Sequence, residues 1–175
     1  MLIRPLIVED VEAVQVIYAH HVLHGLGTFE EEPPTAREIV ERYAAVRGRG
    51  LPWLAAEDGG RVLGYAYAGP FRTRAAYRHT VEDSVYVAPG EEGRGVGKAL
   101  LNAVIAACEG LGLRQMVAVI GDSSNVASIA VHRRCGFEQL AVLPGLGWKF
   151  GRWVDVVWMQ RALDGGDTRP PDAET

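Results

Sequence analysis

From Glu91 to Leu101 the chain reads EEGRGVGKALL, with glycine at every second position: Gly93, Gly95 and Gly97. Before it, TVEDSVYVAP (Thr80–Pro89) is rich in the β-branched and aromatic residues that favour strands. After it, Leu101, Val104, Ile105 and Cys108 recur at the spacing of a buried helical stripe. A strand, a glycine loop and a helix start together make an anion site. The first amides of a helix have no intrahelical partner, its dipole favours negative charge, and glycines let the backbone approach a phosphate closely. Arg94 and Lys98 add positive charge at the rim. Two common nucleotide loops fail here. A Walker loop needs Ser or Thr after its lysine, and Ala99 follows Lys98. A dinucleotide fingerprint needs a third glycine where Leu100 stands, and it belongs in the first βα unit rather than mid-chain. The loop predicts a phosphate and leaves its owner open.

Working outward, MLIRPL predicts a first strand, and Asp10 a cap for a helix carrying Val11, Val14, Ile17 and Tyr18. Pro33 and Pro34 forbid that helix from continuing, and Thr35 predicts the cap of a second one running to about Val46. Asp58-Gly59-Gly60 divides two apolar runs into a hairpin. RTRAAYRH (72–79) predicts a polar connection. RQMVAVIG (114–121) predicts a buried central strand, and DSSNVASIAVHRRCGF (122–137) a capped helix ending at Gly136. EQLAVLPG (138–145) and WKFGRWVDVVWMQRAL (148–163) complete the sheet. The order β-α-α-β-β-β-α-β-α-β-β predicts an α/β fold, a mixed central sheet with helices on both faces. Residues 1–163 make one domain, and 164–175 a polar Pro/Gly tail with no core to join.

The totals agree with one ordinary globular domain: 175 residues, 48% hydrophobic and 23% charged. A net charge of −4 points to neither nucleic acid nor an anionic membrane as partner. No stretch approaches the roughly 18 apolar residues of a membrane span. The N-terminus has no long apolar leader, and Cys108 and Cys135 form no C-x-x-C, so a cytoplasmic protein with reduced thiols is expected. His20 and His24 have an i, i+4 spacing that suits a metal, but no third ligand follows, and no metal is expected.

EGRGVG resembles the Q/R-x-x-G-x-G/A loop of the GNAT N-acetyltransferases, with Glu92 where that family has Gln or Arg. Glu92 is expected to point into solvent, away from the phosphates. NVASIAVHRRCGF is similar to the family's last core helix, with Asn125, Ser128, Gly136 and Phe137 matching and His132 in place of its Tyr. Together with YAGPFRTRAAYRHTVEDSVYV and WKFGRWVDVVWMQ, these motifs resemble the branch that acetylates phosphinothricin and methionine sulfoximine. The resemblance covers about residues 2–162.

The resemblance implies the GNAT fold, acetyl-CoA as cosubstrate and direct attack of an amine on the thioester. It implies that Val85, Tyr86 and Val87 offer backbone groups to the pantetheine arm, and that Gly93, Arg94, Gly95, Val96, Gly97 and Lys98 hold the pyrophosphate. Asn125 would bond the arm near the thiol, with Ser128 beside it. Glu82 is the expected base, because a carboxylate in an apolar strand is costly to bury without a purpose. His132 or Tyr86 is the expected acid for the departing thiolate. Glu82, Ser84 and Tyr86 share one face if the strand is regular, although the family's usual bulge would break that parity. Arg72 and Arg74 suit the acceptor's carboxylate and its second oxyanion, with Tyr77 adding a hydroxyl and Phe29 and Glu30 lining the acceptor pocket. Lys149 and its neighbouring tryptophans are expected in the pocket wall or at a dimer contact, since the family is commonly homodimeric. The expected reaction acetylates the α-amino group of a small amino acid. The alternatives are another small amine or protein N-terminus as acceptor, and a CoA-binding regulator without activity.

Overall fold

The computed structural model describes residues 1–171. Seven strands form one sheet: β1 (Leu2–Pro5), β2 (Trp53–Asp58), β3 (Arg61–Pro70), β4 (Thr80–Val87), β5 (Gln115–Gly121), β6 (Glu138–Lys149) and β7 (Arg152–Ala162). Their spatial order is β1-β2-β3-β4-β5-β7-β6. Only β4 and β5 run parallel, joined through α3 (Val96–Gly110), so the sheet is mixed as expected. The other helices are α1 (Val11–His24), α2 (Ala36–Arg47) and α4 (Val126–Arg134).

The sheet's two faces differ in residue size, and this sorts the helices. On β3, the face carrying Gly64 meets α3 so closely that a Cβ on Gly64 would lie 3.2 Å from the Val96 side chain. α3 answers with Leu100, Leu101, Val104 and Cys108, all fully buried, each leucine worth about 1.5–3 kcal/mol in transfer from water. The opposite face is aromatic. Trp53 stacks on Tyr67 (4.3 Å) and Tyr65 (6.1 Å), Tyr43 of α2 meets Trp53, and Tyr18 of α1 meets Tyr86 edge-on at 4.9 Å.

The caps follow the sequence with one exception. Thr35 and Glu38 form the reciprocal capping box of α2. Asp10 stands before α1, but its carboxylate pairs with Arg4 at 2.7 Å and takes the Ile7 N–H instead of an α1 amide. A strong charge partner on β1 outcompetes the local cap. The last hairpin also differs from expectation. β6 continues through Gly147 and Trp148 to Lys149 and turns at Phe150-Gly151, both with positive φ. A bulge makes this possible: between Leu143 and Gly147 β6 advances four residues while β7 advances two, from Val156 to Val154. After β7 the chain folds back on itself. Arg114, 5% exposed, donates to the Gly166 carbonyl at 2.9 Å and pairs with Asp164 at 3.2 Å. The first turn of the expected tail is therefore docked, because a buried guanidinium needs acceptors. Residues 172–175 of that expectation lie outside the described residues.

Candidate active site

β4 and β5 pair only from Thr80–Glu82 to Gln115–Val117 and then diverge, opening a cleft that closes at Glu82. The resulting cavity has a volume of about 810 Å³. It is bounded by β4 from Glu82 to Val87, the glycine loop, the exit of β5, the start of α4 and the loop Gly25–Phe29.

β4 has no bulge. Its register with β3 runs unbroken from Gly64↔Val87 to Pro70↔Val81, so strand alternation holds. Glu82, Ser84 and Tyr86 share the α1 face, where Tyr86 packs on Tyr18 and His21. Asp83, Val85 and Val87 face α3 and α4: Asp83 reaches His132, and the two valines lie near Gly97.

Glu82 is half-buried, and loss of hydration raises its pKa; Arg72 opposes this and Asp83 adds to it. Tyr86 is pushed well above the ordinary tyrosine range, first by burial, so its hydroxyl stays protonated. His132 is 5% exposed. Burial disfavours its charged form, but the hydrogen bond and charge of Asp83, with the Ser128 carbonyl, outweigh this, and the net direction is up.

The glycine loop is shaped as a cradle. Gly93 (φ 76°) and Gly95 (φ 81°, N-cap of α3) occupy the left-handed region, and a Cβ on either would meet nothing within 4 Å. The space over them is open at a helix N-terminus, which fits a phosphate group. Lys98 lines the cavity, whereas Arg94 does not: it pairs with buried Glu91, which Arg61 also holds at 2.5 Å. Glu92 is exposed and its carboxylate accepts from the Gly90 N–H at 2.8 Å, capping its own turn. Asn125 accepts from Ser128 N–H at 3.2 Å as the α4 cap, and its amide nitrogen faces Gly27.

On the acceptor side the structure brings in Phe29 and Ser84 but not Glu30, Arg72, Arg74 or Tyr77. The Glu30 carboxylate is held by both Arg42 nitrogens (2.7 and 3.0 Å) and by Tyr18. Arg72 lies over the Phe71 ring at 4.2 Å, and Arg74 and Tyr77 are exposed around a short 3-10 turn.

Two residues outside the expected catalytic and binding sets help to build the site, and Lys149 supports the pocket wall, one of its two expected places. His21 donates from Nε2 to the Val87 carbonyl at 2.8 Å, tying α1 to the open edge of β4. Lys149, 1% exposed, donates to the carbonyls of Gly25 (2.9 Å) and Thr28 (2.8 Å). Burial lowers its pKa, although Glu31 and Glu30 oppose this. Lys149→Met is expected to leave both carbonyls without a donor and to cost about 1–3 kcal/mol. Thermal denaturation checks this as a lowered midpoint, and an unchanged midpoint would contradict it.

Residues 17–137 match the model of the acetyltransferase (GNAT) family. The chain belongs to that family. Among its relatives, the phosphinothricin N-acetyltransferase of Alcaligenes faecalis is 53% identical over 94% of this chain and 83% of its own length. The L-methionine sulfoximine/L-methionine sulfone acetyltransferase of Salmonella typhimurium is 40% identical over 94% of each chain. The crystal structure of a GNAT superfamily phosphinothricin acetyltransferase from Sinorhizobium meliloti in complex with acetyl-CoA superposes with a TM-score of 0.96. It is 42% identical and covers 99% of this chain and 94% of that one. The GNAT fold expected from the motifs is the fold observed.

Proposed function

We propose that the chain transfers the acetyl group of acetyl-CoA to the α-amino group of a small amino acid of the phosphinothricin or methionine sulfoximine type. The observation that carries this reading is the cleft itself: a phosphate cradle at one end and a half-buried carboxylate, Glu82, at the other. The glycine loop follows Val87, and the strands rejoin at Glu82. A cosubstrate with its pyrophosphate on Gly93, Gly95, Val96 and Gly97 and near Lys98 therefore runs back along β4, past Val87, Tyr86 and Val85. Its acyl end reaches the closed end of the cleft. Asn125 and Ser128 line the same cleft from α4.

The acceptor enters beneath the Gly25–Phe29 loop, on the face of Glu82 and Ser84. Glu82 takes the ammonium proton, directly or through water. The free amine attacks the thioester carbon, the C–S bond breaks with its electron pair on sulfur, and the second nitrogen proton passes to that sulfur as the amide forms, so that CoA leaves as the thiol. No covalent enzyme intermediate is required. Arg72, over the Phe71 ring at 4.2 Å and outside the cleft lining, acts on Glu82 through its charge alone. Blocking the ammonium removes its charge, which suits detoxification of an amino-acid analogue.

Incubation with acetyl-CoA, a thiol reagent and a panel of amines tests this. The reading expects CoA release with phosphinothricin or methionine sulfoximine. Release only with peptide N-termini would overturn the acceptor assignment, and tight acetyl-CoA binding without release would overturn the activity.

A homodimer and a cytoplasmic location belong to the same proposal. No helix among the described residues is long and apolar enough to cross a membrane, and Cys108 and Cys135 are free thiols. The β6–β7 hairpin presents Trp148, Phe150 and Trp153 to solvent, each more than half exposed, as an apolar patch that a second copy would cover. Trp153→Glu is expected to convert the protein to monomers in sedimentation velocity. A wild-type monomer would overturn this part.

A further inference from the structure

Asp83 has no role in the transfer as derived so far, yet it occupies an unusual position. It follows Glu82 in sequence, so the pleat turns it to the opposite face of β4. Its residue is 7% exposed, and its Oδ2 lies 3.0 Å from Nε2 of His132. The other ring nitrogen, Nδ1, lies 2.7 Å from the Ser128 carbonyl oxygen. A carbonyl only accepts, so Nδ1 carries a hydrogen. Oδ2 of Asp83 lies where it would accept a second ring hydrogen, on Nε2.

The remaining surroundings offer the ring no competing charge at contact. Phe137 meets it edge-on at 5.1 Å, and the Ser128 hydroxyl is 3.4 Å from Nδ1. On neighbouring elements, the Cys108 and Cys135 thiols feel Asp83, while Lys98 and Arg161 act on Cys135. The second carboxylate oxygen, Oδ1, is buried without a hydrogen-bond partner among the described residues. A buried carboxylate left half-satisfied is costly, and both Asp83 and His132 border the cleft.

We propose that Asp83 is a positioning residue for acetyl transfer: it holds His132 as a doubly protonated, fixed cation at the closed end of the cleft, on the face of β4 opposite Glu82. This rests on the acetyltransferase reading given above. Both N–H bonds of the ring are engaged, so its contribution is charge rather than a mobile proton. When the C–S bond breaks and sulfur takes the electron pair, the nearby cation stabilises the thiolate. The first ammonium proton leaves to solvent through Glu82, and the second, freed from nitrogen as the amide forms, neutralises the thiolate. The pair thus separates the two tasks, with the proton acceptor on one face of the strand and the positive charge on the other.

Histidine side-chain 15N NMR of the wild-type protein tests the first part without any variant or cosubstrate, with His132 assigned through its contact with the Phe137 ring. Both ring nitrogens are expected to be protonated at pH 7.5, above the ordinary histidine value of about 6.5. A neutral ring would overturn the inference alone. Asp83→Asn tests the second part. The expected result is a kcat lowered by about tenfold or more, the scale of losing one electrostatic contribution to the transition state. KM for acetyl-CoA should change little, and the loss of kcat at alkaline pH should begin at lower pH than in the wild type. An Asp83→Asn protein with wild-type kcat and pH profile would overturn it. A wild-type protein that transfers acetyl to no amine while its His132 is doubly protonated would overturn the functional reading and this use of the ring together.

Discussion

Glu82→Gln is expected to lower kcat by about 10²–10⁴-fold, the usual contribution of a positioned base, while acetyl-CoA binding stays close to wild type. Stability should move the other way. Burial raises the Glu82 pKa, with Asp83 adding to the effect and Arg72 reducing it. A carboxyl group whose folded value lies above its unfolded one favours folding at low pH, and that contribution is lost as pH rises through the two values. At neutral pH the ionised side chain is therefore a burden on the fold, and the neutral isostere removes it. The variant should lose activity without a lower melting temperature. In the wild type, kcat should rise with pH along a limb above the ordinary glutamate value of about 4.3. A Glu82→Gln protein that keeps full rate near neutral pH would sink the base assignment.

Gly121→Ala is expected to have the second-largest effect, and on the other substrate. A Cβ there would lie 2.0 Å from the Leu26 carbonyl oxygen, a backbone atom that no side-chain rotation can move aside. The Gly25–Phe29 loop or the end of β5 must shift, at about 1–3 kcal/mol for an overpacked site. In a chain of this size that lowers the melting temperature by about 2–4 °C per kcal/mol. Because the displaced loop borders the cleft, KM for the acceptor should rise several-fold while KM for acetyl-CoA changes little. Gly147→Ala is the comparison: its Cβ would meet the Phe29 ring at 2.6 Å, a side chain that borders the cleft but can rotate, so its effect on acceptor KM should be the smaller. Equal effects from both variants would show that loop position does not govern acceptor binding.

Much of this molecule is legible in its sequence because the decisive signals are local. All seven strands and four helices appear in the expected order, since glycine turns, caps and apolar periodicity act over a few residues. The open glycine loop at the α3 N-terminus, the half-buried Glu82 and the α4 cap Asn125 are legible for the same reason. What the sequence leaves open depends on partners distant along the chain. Asp10 is drawn from its helix by Arg4, Arg94 by Glu91, and Glu30 by Arg42. Lys149 reads as one polar residue in an aromatic stretch, and only the fold brings it to Gly25 and Thr28, 124 and 121 positions away. Asp83 is hidden by its neighbour: adjacent carboxylates look alike in a sequence, and only the pleat assigns them opposite faces.

The unbroken pleat of β4 has a consequence for how this protein can change. Residues of even number from 82 to 86 face one compartment and residues of odd number from 83 to 87 the other, with the backbone between them. Substitutions at Ser84 need not disturb the wall formed by Val85 and Val87, so the two faces can drift independently. Insertion or deletion of one residue in this strand has the reverse character, because it exchanges the two compartments in a single step. The site is thus tolerant of replacement and intolerant of slippage. Selection on such a chain would fix the length of this strand more firmly than most of its letters.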